Sequence, residues 1–260
     1  MPEVNIFRLS LITLSMVITV LLLMAIGSFF LVPDWSDVVE NFFKEEMLFS
    51  LRLSLWTGLV STVLVLIFSI PAGYALSRYN FIGKGLTRSI LDLPVAFPEL
   101  VLGLALLLLF GNTPIGKALQ TMGINLVFTK AGVVAAQFFT ALPYSIRILK
   151  NTFDYIDPRY EFISRSLGYS QFETFKNIAL PLAKNGMIAA VVIAFARCIG
   201  TFGTVLILAG GSEDLTNTLP ITLYLNISYG NMGMALTSGI ILITVSFIAI
   251  FVFEKTEAQL

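Results

Sequence analysis

The sequence has no histidine, a single cysteine and few charged residues. Of its 260 residues only 12% are Asp, Glu, Lys or Arg, whereas 57% are hydrophobic. Without histidine the chain cannot use an imidazole in acid–base catalysis or as a metal ligand, and with Cys198 alone it cannot form an internal disulfide. The low charge and high apolar content indicate an integral membrane protein, and we expect no metal site.

Long apolar runs divide the chain into six predicted membrane spans. The first run carries no charge and is longer than the roughly 20 residues that a helix needs to cross a bilayer. The predicted spans are 9–32, 53–77, 93–110, 131–149, 185–211 and 232–253. No loop has the character of a soluble domain and no internal repeat is present. The sequence therefore predicts one all-α, six-helix membrane domain over 1–260.

Lysine and arginine are unevenly distributed between the two sides of these spans. Eleven lie on one side and four on the other, and the richer side faces the cytoplasm in most membrane proteins. The richer side comprises Arg8, Arg78, Lys84, Arg88, Arg147, Lys150, Arg159, Arg165, Lys176, Lys184 and Lys255. This distribution predicts a multi-pass protein of the cell membrane with both termini in the cytoplasm.

The longest polar interruption, 157–182, is patterned as two short helices joined by a turn. Asp157 can cap a first helix, and Gly168 can adopt the left-handed conformation that closes it. Ser170 and Glu173 have the spacing of a capping box, which starts a second helix. The segment therefore predicts a helix-turn-helix between spans four and five, on the cytoplasmic side.

The apolar residues of this helix-turn-helix need a surface to cover them. The second helix is expected to end at Pro181, so both helices are too short to bury their own apolar faces. The residues concerned are Phe162, Ile163, Leu167, Phe172 and Phe175. They must rest on the membrane domain or on a partner, and the pattern leaves open whether the loop is a docking site or a cap folded back on its own bundle.

Two predicted spans carry features that are unusual inside a membrane. Arg197 is expected about midway along the fifth span, where an arginine costs roughly 2.5–3.5 kcal/mol, so it should pair with Glu99 or line a water-filled path. Pro94 and Pro98 remove two backbone donors and should break or bend the third span near its cytoplasmic end, as in a gate. Around the arginine, Thr201 shares its helix face, Gly200 and Gly203 allow close helix approach, and Phe202 is the one bulky neighbour.

Three shorter segments complete the pattern. Residues 35–45 predict an amphipathic helix at the outer surface, and 219–225 predict a partial helix buried against protein. Residues 111–117 match seven positions of a phosphate loop, but Ala118 stands where a Ser or Thr must reach magnesium. Any nucleotide chemistry must therefore belong to another chain.

Several motifs resemble those of ABC importer permeases. The loop 157–182 contains D-P-R and then G-x9-I-x-L-P from Gly168 to Pro181, which resembles the family's coupling loop, although Phe162, Ile163 and Ser164 stand in place of its E-A-A. Residues 92–111, 196–203 (A-R-C-I-G-T-F-G) and 218–224 (T-L-P-I-T-L-Y) are similar to segments of the molybdate, tungstate and sulfate permeases. In that group a glutamate occupies the position of Thr201, and we hypothesise that Glu99 substitutes for it.

The resemblance implies an assembly and a set of site residues. It implies a homodimer in the lipid bilayer, two cytoplasmic ABC ATPase subunits that hold ATP and magnesium, and an extracytoplasmic oxyanion-binding protein, with no cofactor in this chain and no nucleic acid. The implied ATPase-docking residues are Glu161, Phe162, Ile163, Arg165, Leu167, Gly168, Tyr169, Ser170 and Phe172. The implied path and gate residues are Arg197, Thr201, Gly200, Phe202, Gly203, Glu99, Pro94 and Pro98.

The sequence leaves alternatives open for the transported anion and for the class of transporter. Sulfate or thiosulfate, or the cargo of another kind of ABC importer, is the alternative to molybdate or tungstate. A secondary anion transporter would need acidic groups near the midplane, and the spans offer only Glu99 and Asp92 near one end. An intramembrane enzyme has less support, since the spans contain no Ser-Lys or paired Asp motif. The sequence therefore predicts a permease whose ATP hydrolysis occurs in a partner subunit.

Overall fold

The computed structural model describes residues 6–257, and every regular element within this range is helical. In chain order the helices are α1 Ile6–Leu31, α2 Trp35–Phe42, α3 Glu45–Arg78, α4 Lys84–Ala96, α5 Glu99–Asn112, α6 Pro114–Thr121, α7 Lys130–Tyr155, α8 Arg159–Ser166, α9 Gln171–Thr174, α10 Leu180–Leu182, α11 Lys184–Gly200, α12 Gly203–Ala209, α13 Leu219–Ser228 and α14 Met232–Glu257. A π-helical turn, Phe175–Ala179, joins α9 to α10. The predicted all-α fold is confirmed.

Four helices in the described range, α1, α3, α7 and α14, are long and apolar enough to cross a membrane. They correspond to the predicted spans 9–32, 53–77, 131–149 and 232–253. Two further pairs of helices satisfy the same test together but are sharply bent, and counting each pair as one span gives up to six. One pair is α4 with α5, which contains the predicted span 93–110. The other runs from α9 through α10 into α11, so it joins the predicted helix-turn-helix to the first part of the predicted span 185–211.

The predicted third span, 93–110, is broken, as its prolines predicted. Its first residues belong to α4, and α5 leaves that helix at an angle of 116°. Phe97 is extended (φ −81°, ψ 143°) because a residue before proline avoids the helical conformation, and Pro98 caps α5. Pro94 lies inside α4 without interrupting it. The predicted break is thus confirmed at Pro98 and not at Pro94.

The predicted fifth span, 185–211, is also interrupted. α11 ends at Gly200, Thr201 is extended (φ −65°, ψ 119°), and α12 begins at Gly203. The Thr201 hydroxyl donates to the carbonyl of Arg197 at 2.6 Å, a side-chain bond that competes with the helical ladder, and the two flanking glycines have low helix propensity. Arg197 therefore lies in the last turn of α11, directly before the break in the predicted span.

At the centre of the bundle, α3, α7 and α11 pack through small residues and buried polar groups. A Cβ on Gly73 of α3 would lie 2.9 Å from the Cβ of Leu149 in α7, so the two backbones are in near contact there. Farther along, the Ser61 hydroxyl donates to Gln137 Oε1 at 2.9 Å, and Gln137 Nε2 donates to Thr57 Oγ1 at 3.2 Å. Close glycine packing and interhelical hydrogen bonds are common means of association between membrane helices.

Two short helices pack around one end of the bundle, where the first turns of α3, α13 and α14 share an apolar cluster. The helix α2 buries Val38 and packs on α14, while α13 buries Leu219 and Ile221. They confirm the amphipathic helix predicted within 35–45 and the short buried helix predicted around 219–225.

Replacing Gly73 with alanine should destabilise the bundle. The added Cβ would lie 2.9 Å from Leu149 Cβ and 3.0 Å from the Lys150 nitrogen, and relieving such overpacking costs about 1–3 kcal/mol. Gly27→Ala in α1 is the matched control, because no atom lies within 4 Å of its added Cβ and the gain in helix propensity is the same. We expect a lower Tm for Gly73→Ala than for Gly27→Ala in detergent, and equal values would contradict this packing.

Candidate functional site

The break between α4 and α5 and the break between α11 and α12 lie against each other and share one carboxylate. Glu99 Oε2, in the first turn of α5, accepts hydrogen bonds from the backbone N–H groups of Phe202 at 3.1 Å and Gly203 at 2.9 Å. The Thr204 hydroxyl donates to the Glu99 carbonyl at 3.1 Å. The first N–H groups of a helix lack partners within the helix, and a negative charge there also complements the helix dipole. Glu99 thus caps α12 from a neighbouring helix.

Two glycines allow α5 and α12 to approach closely beside this cap. A Cβ on Gly203 would lie 3.0 Å from Glu99 Cβ, and one on Gly103 would lie 3.0 Å from Thr204 Cα. The expected close approach at Gly203 is therefore present. Gly200 is exposed and has no atom within 4 Å of an added Cβ, so in the single chain it contacts no other helix.

Arg197 is exposed at the end of α11 and stacks on an aromatic ring. Its Cζ lies 4.1 Å from the centroid of the Tyr144 ring in α7, within the range of a cation–π interaction. The ion pairs of the described residues include none between Arg197 and Glu99. Since the Glu99 carboxylate is directed to α12, the Arg197–Glu99 pairing that the sequence left open is not formed, and the positive charge of Arg197 faces the surface of the chain.

The remaining predicted gate residues occupy three different environments. Thr201 is buried and uses its hydroxyl to bond the backbone of α11. Phe202 is half-buried at the break, with its ring centroid 4.9 Å from that of Tyr224 in α13. Pro98 is exposed at the start of α5, and Pro94 is half-buried in α4. The structure therefore brings Glu99, Phe202 and Gly203 together and leaves Pro94 apart from them.

Sequence reasoning missed two aromatic residues of this site. Tyr144 follows Pro143 in a predicted span, and Tyr224 closes the T-L-P-x-x-x-Y stretch. Aromatic side chains are common in membrane helices, so neither position was singled out. An unpaired arginine in a span is the signal that could have prompted a search for an aromatic face nearby.

The second candidate site is the helix-turn-helix, whose predicted turns are confirmed. Gly168 has φ +96°, the left-handed region that favours glycine. Ser170 N–H donates to Glu173 Oε2 at 2.8 Å and Glu173 N–H donates to Ser170 Oγ at 3.2 Å, which completes the capping box. Hydrogen bonding by the Ser170 N–H, and secondarily by its hydroxyl, lowers the pKa of the Glu173 carboxyl. At the other end of the segment, Asp157 accepts from the Arg159 N–H at 2.9 Å.

The end of the helix-turn-helix differs from the prediction at Pro181. The chain does not stop there but continues through the π-helical turn and α10 to Leu182, and then bends by 75° into α11. Proline has no N–H to bond the carbonyl of Asn177, and the Leu180 N–H instead bonds the Phe175 carbonyl five residues earlier. The helix is therefore widened before Pro181 and not ended by it.

The apolar residues of the helix-turn-helix divide into an exposed set and a packed set. Phe162, Leu167 and Phe172 are 73%, 75% and 71% exposed, while Phe175 packs on Tyr74 with ring centroids 4.7 Å apart. Of these four side chains, only Phe175 is therefore covered by the loop folding back on its own bundle. Ile163, Arg165, Gly168, Tyr169 and Ser170 are also exposed, on the same two-helix segment.

Glu161 is the one predicted docking residue that is directed inward. Its carboxylate bonds Arg78 Nε and the Tyr74 hydroxyl, each at 2.6 Å, and its side chain is only 12% exposed. A carboxylate that is already paired inside its own chain is not free to contact another protein. In the single chain Glu161 is therefore directed away from the exposed face that carries the other predicted docking residues. Among the described residues, no group of three or more Cys, Asp or Glu side chains is placed to hold a metal ion.

Known proteins share both the sequence pattern and the fold. Residues 66–258 match the family of binding-protein-dependent transport system inner membrane components. The chain is 31% identical over 215 residues to the molybdate/tungstate transport system permease protein WtpB of Methanocaldococcus jannaschii, which covers 82% of this chain and 83% of that protein. It is 30% identical over 248 residues to the probable sulfate transport system permease protein cysT of Helicosporidium sp., which covers 94% of this chain and 92% of that protein.

The fold is similar to that of a bacterial alginate ABC transporter, crystallised in complex with an alginate pentasaccharide-bound periplasmic protein. The TM-score is 0.74 at 15% identity, and the match covers 98% of this chain and 96% of that chain. The overall arrangement of the helices thus belongs to a known membrane architecture. The chain is a member of the family of inner membrane permease components of binding-protein-dependent transport systems, as its resemblance to ABC importer permeases implied.

Proposed function

We propose that this chain is the transmembrane subunit of an ATP-driven importer and forms the path for an oxyanion of the molybdate and tungstate class. The single observation that carries the proposal is Arg197, an exposed guanidinium beside a broken span, with no acidic partner among the residues that the structure describes. A charge inside a bilayer costs roughly 2.5–3.5 kcal/mol, so it must face water or a ligand. The Tyr144 ring attracts the cation but does not neutralise it.

Two copies of the chain would complete such a path. Arg197 and Gly200 lie on an exposed surface of α11, where a second copy related by a twofold axis would bring a second arginine close. Two guanidinium groups suit a tetrahedral dianion. A path must attract its cargo without holding it, and cations that remain partly solvated provide weak binding of that kind. The relatives named for molybdate, tungstate and sulfate support this cargo class, and sulfate or thiosulfate is the alternative within it.

The exposed face of the helix-turn-helix suits a docking site for the ATPase. We name as the docking patch the five exposed apolar side chains Phe162, Ile163, Leu167, Tyr169 and Phe172. Large apolar side chains grouped on a surface are typical of protein interfaces, and here Arg165 and Ser170 add polar groups beside them. The excess of lysine and arginine supports a cytoplasmic position for this patch and for both termini.

The other subunits of the assembly follow from the separate tasks of ATP hydrolysis and cargo delivery in an importer. ATP and magnesium would bind to two ATPase subunits on the cytoplasmic side, and this chain would carry no cofactor. An extracytoplasmic oxyanion-binding protein would deliver the cargo to the opposite side of the homodimer, in the cell membrane. The alginate transporter was solved with a periplasmic protein, which supports a partner of this kind.

Uptake into vesicles that contain this chain, the ATPase and the binding protein tests the proposal. We expect molybdate uptake to require ATP and to be reduced by tungstate. In that system Arg197→Ala should lower uptake by about tenfold, the equivalent of 1.4 kcal/mol, because the path loses its charge. Arg197→Lys should retain part of the activity, since the charge remains.

Tyr144→Phe is the matched control, because it keeps the aromatic face beneath Arg197 and should leave uptake unchanged. Recovery of the intact complex on a sizing column shows whether a variant still assembles. Loss of assembly in Arg197→Ala would assign the arginine a structural role. Uptake that persists without ATP and disappears with an ion gradient would indicate a secondary transporter.

Phe172→Ser should weaken binding of the ATPase to this chain. A large buried side chain at the centre of an interface contributes about 2 kcal/mol or more, so we expect roughly a thirtyfold rise in the Kd. Ile82→Ser is the control, since Ile82 is fully exposed in the loop between α3 and α4, outside the docking patch. Equal Kd values for the two variants, measured on the purified subunits, would argue against docking at this patch.

Gly168→Val should reduce transport per ATP hydrolysed. A β-branched residue at φ +96° costs at least about 1–2 kcal/mol and would distort the turn that holds α8 and α9 together. Gly83→Val is matched, because Gly83 has φ +85° and, like Gly168, no atom within 4 Å of an added Cβ. Both variants should lose similar stability, whereas only Gly168→Val should uncouple hydrolysis from uptake. Unchanged coupling in Gly168→Val would exclude this turn from the mechanism.

A further inference from the structure

The root of the helix-turn-helix is held by three polar side chains, Tyr74, Arg78 and Glu161, which we call the anchor. Glu161 lies in the first turn of α8, and both of its carboxylate oxygens are bonded. Oε1 accepts from Arg78 Nε at 2.6 Å and Oε2 accepts from the Tyr74 hydroxyl at 2.6 Å. Tyr74 and Arg78 both belong to the last turns of α3. The anchor therefore joins α8 directly to the end of a membrane helix.

The anchor also reaches the end of α7 and the second half of the helix-turn-helix. Arg78 Nη2 donates to the carbonyl of Ile156, the residue that caps α7, at 2.8 Å. The Tyr74 ring packs on Phe175 with centroids 4.7 Å apart and on Phe153 of α7 with centroids 5.3 Å apart. A displacement of α8 or of the π-helical turn is thus resisted by the ends of both α3 and α7.

Because the Arg78–Glu161 ion pair is buried, it resists displacement more than a surface ion pair does. The side chains of Arg78 and Glu161 are 11% and 12% exposed. Charged groups removed from water interact more strongly and are screened less by salt than exposed pairs are. The Asp92–Arg147 pair, by contrast, has side chains that are 36% and 51% exposed. The anchor is therefore the most buried ion pair among the described residues.

We propose that the anchor is the element that passes motion of the docking patch to α3 and α7, and that Glu161 is a positioning residue and not an ATPase contact. This inference rests on the proposed function, in which the ATPase moves the helix-turn-helix. The docking patch is exposed and receives the displacement, while the anchor fixes the other side of α8 to the two long helices. Without the anchor, α8 would move with the ATPase, and α3 and α7 would not follow it.

Glu161→Gln, Arg78→Gln and Tyr74→Phe test the anchor in the full chain, and Asp154→Asn is the matched control. Asp154 is an acid at the same end of α7, bonded by Lys150 of its own helix and by Ser77, whose hydroxyl also accepts from Arg78 Nη1 at 3.2 Å. An asparagine keeps an acceptor for Ser77 and leaves both bonds of the Glu161 carboxylate in place. Tyr74→Phe removes one hydrogen bond and keeps the ring packing. It therefore tests the role of the anchor even if the loss of a charge in the other two variants impairs folding. Hydrogen exchange of residues 159–166 in lipid nanodiscs measures the anchor without any partner.

We expect exchange in 159–166 to rise by about tenfold in Glu161→Gln and Arg78→Gln, less in Tyr74→Phe, and not in Asp154→Asn. In the reconstituted complex, anion transported per ATP hydrolysed should fall by about tenfold in the first two variants, within the range of measured coupling between sites. The Kd for the ATPase should remain within about twofold of the wild-type value, because the docking patch is intact.

Two results would overturn the inference. If Glu161→Gln weakens ATPase binding as much as Phe172→Ser does, Glu161 is a docking contact. If hydrogen exchange in 159–166 and the anion transported per ATP hydrolysed are the same in all three anchor variants as in Asp154→Asn, the anchor does not transmit motion to α3 and α7. A wild-type complex that shows no ATP-dependent uptake would overturn the proposed function and with it the coupling role, while the exchange measurement would still decide whether the anchor fixes α8.

Discussion

A bilayer offers no water to satisfy backbone N–H groups, and this constraint governs the centre of the molecule. Two spans are broken, and each break exposes the first N–H groups of a new helix. At α12 the carboxylate of Glu99 accepts two of these hydrogen bonds, and at α5 Pro98 removes one of the donors altogether. The breaks are tolerated because the chain supplies these local solutions. The position of Arg197, the ring of Phe202 and the close packing of α5 with α12 all follow from where the breaks lie.

The capped break separates a closely packed segment from a more open one. The helices α5 and α12 touch through Gly103 and Gly203 and share the Glu99 bonds, and Thr140 of α7 adds a hydrogen bond to Thr204 at 3.2 Å. On the other side of the break, α11 ends with Arg197 and Gly200 exposed, and α4 buries no residue. A bend between a fixed segment and an open one is a suitable place for a gate, since a small rotation there changes access without disturbing the core.

Local sequence signals predicted those features that depend on neighbouring residues. The capping box of Ser170 and Glu173, the left-handed Gly168 and the break at Pro98 all arise from the chemistry of a few consecutive residues, and all are present. The break at Thr201 was missed because hydrophobicity continues across it, and a helical span is the simplest interpretation of such a run. The contacts of Glu99 and Glu161 depend on helices far away in the sequence, so their residue types alone could not assign them. Glu161 in particular follows the pattern of an exposed helix, and only the positions of Tyr74 and Arg78 show that it is directed inward.

The Glu99 cap also has an evolutionary consequence. The resemblance of 196–203 to the molybdate, tungstate and sulfate permeases implies a glutamate in that group at the position of Thr201, directly before the two N–H groups that Glu99 bonds here. An acceptor for these groups can thus come from either of two spans. A lineage with both acids would place two negative charges at one site, and a lineage with neither would leave two N–H groups without an acceptor in the membrane. Residues 99 and 201 are therefore expected to vary together among relatives, so that the loss of an acid at one position accompanies its gain at the other.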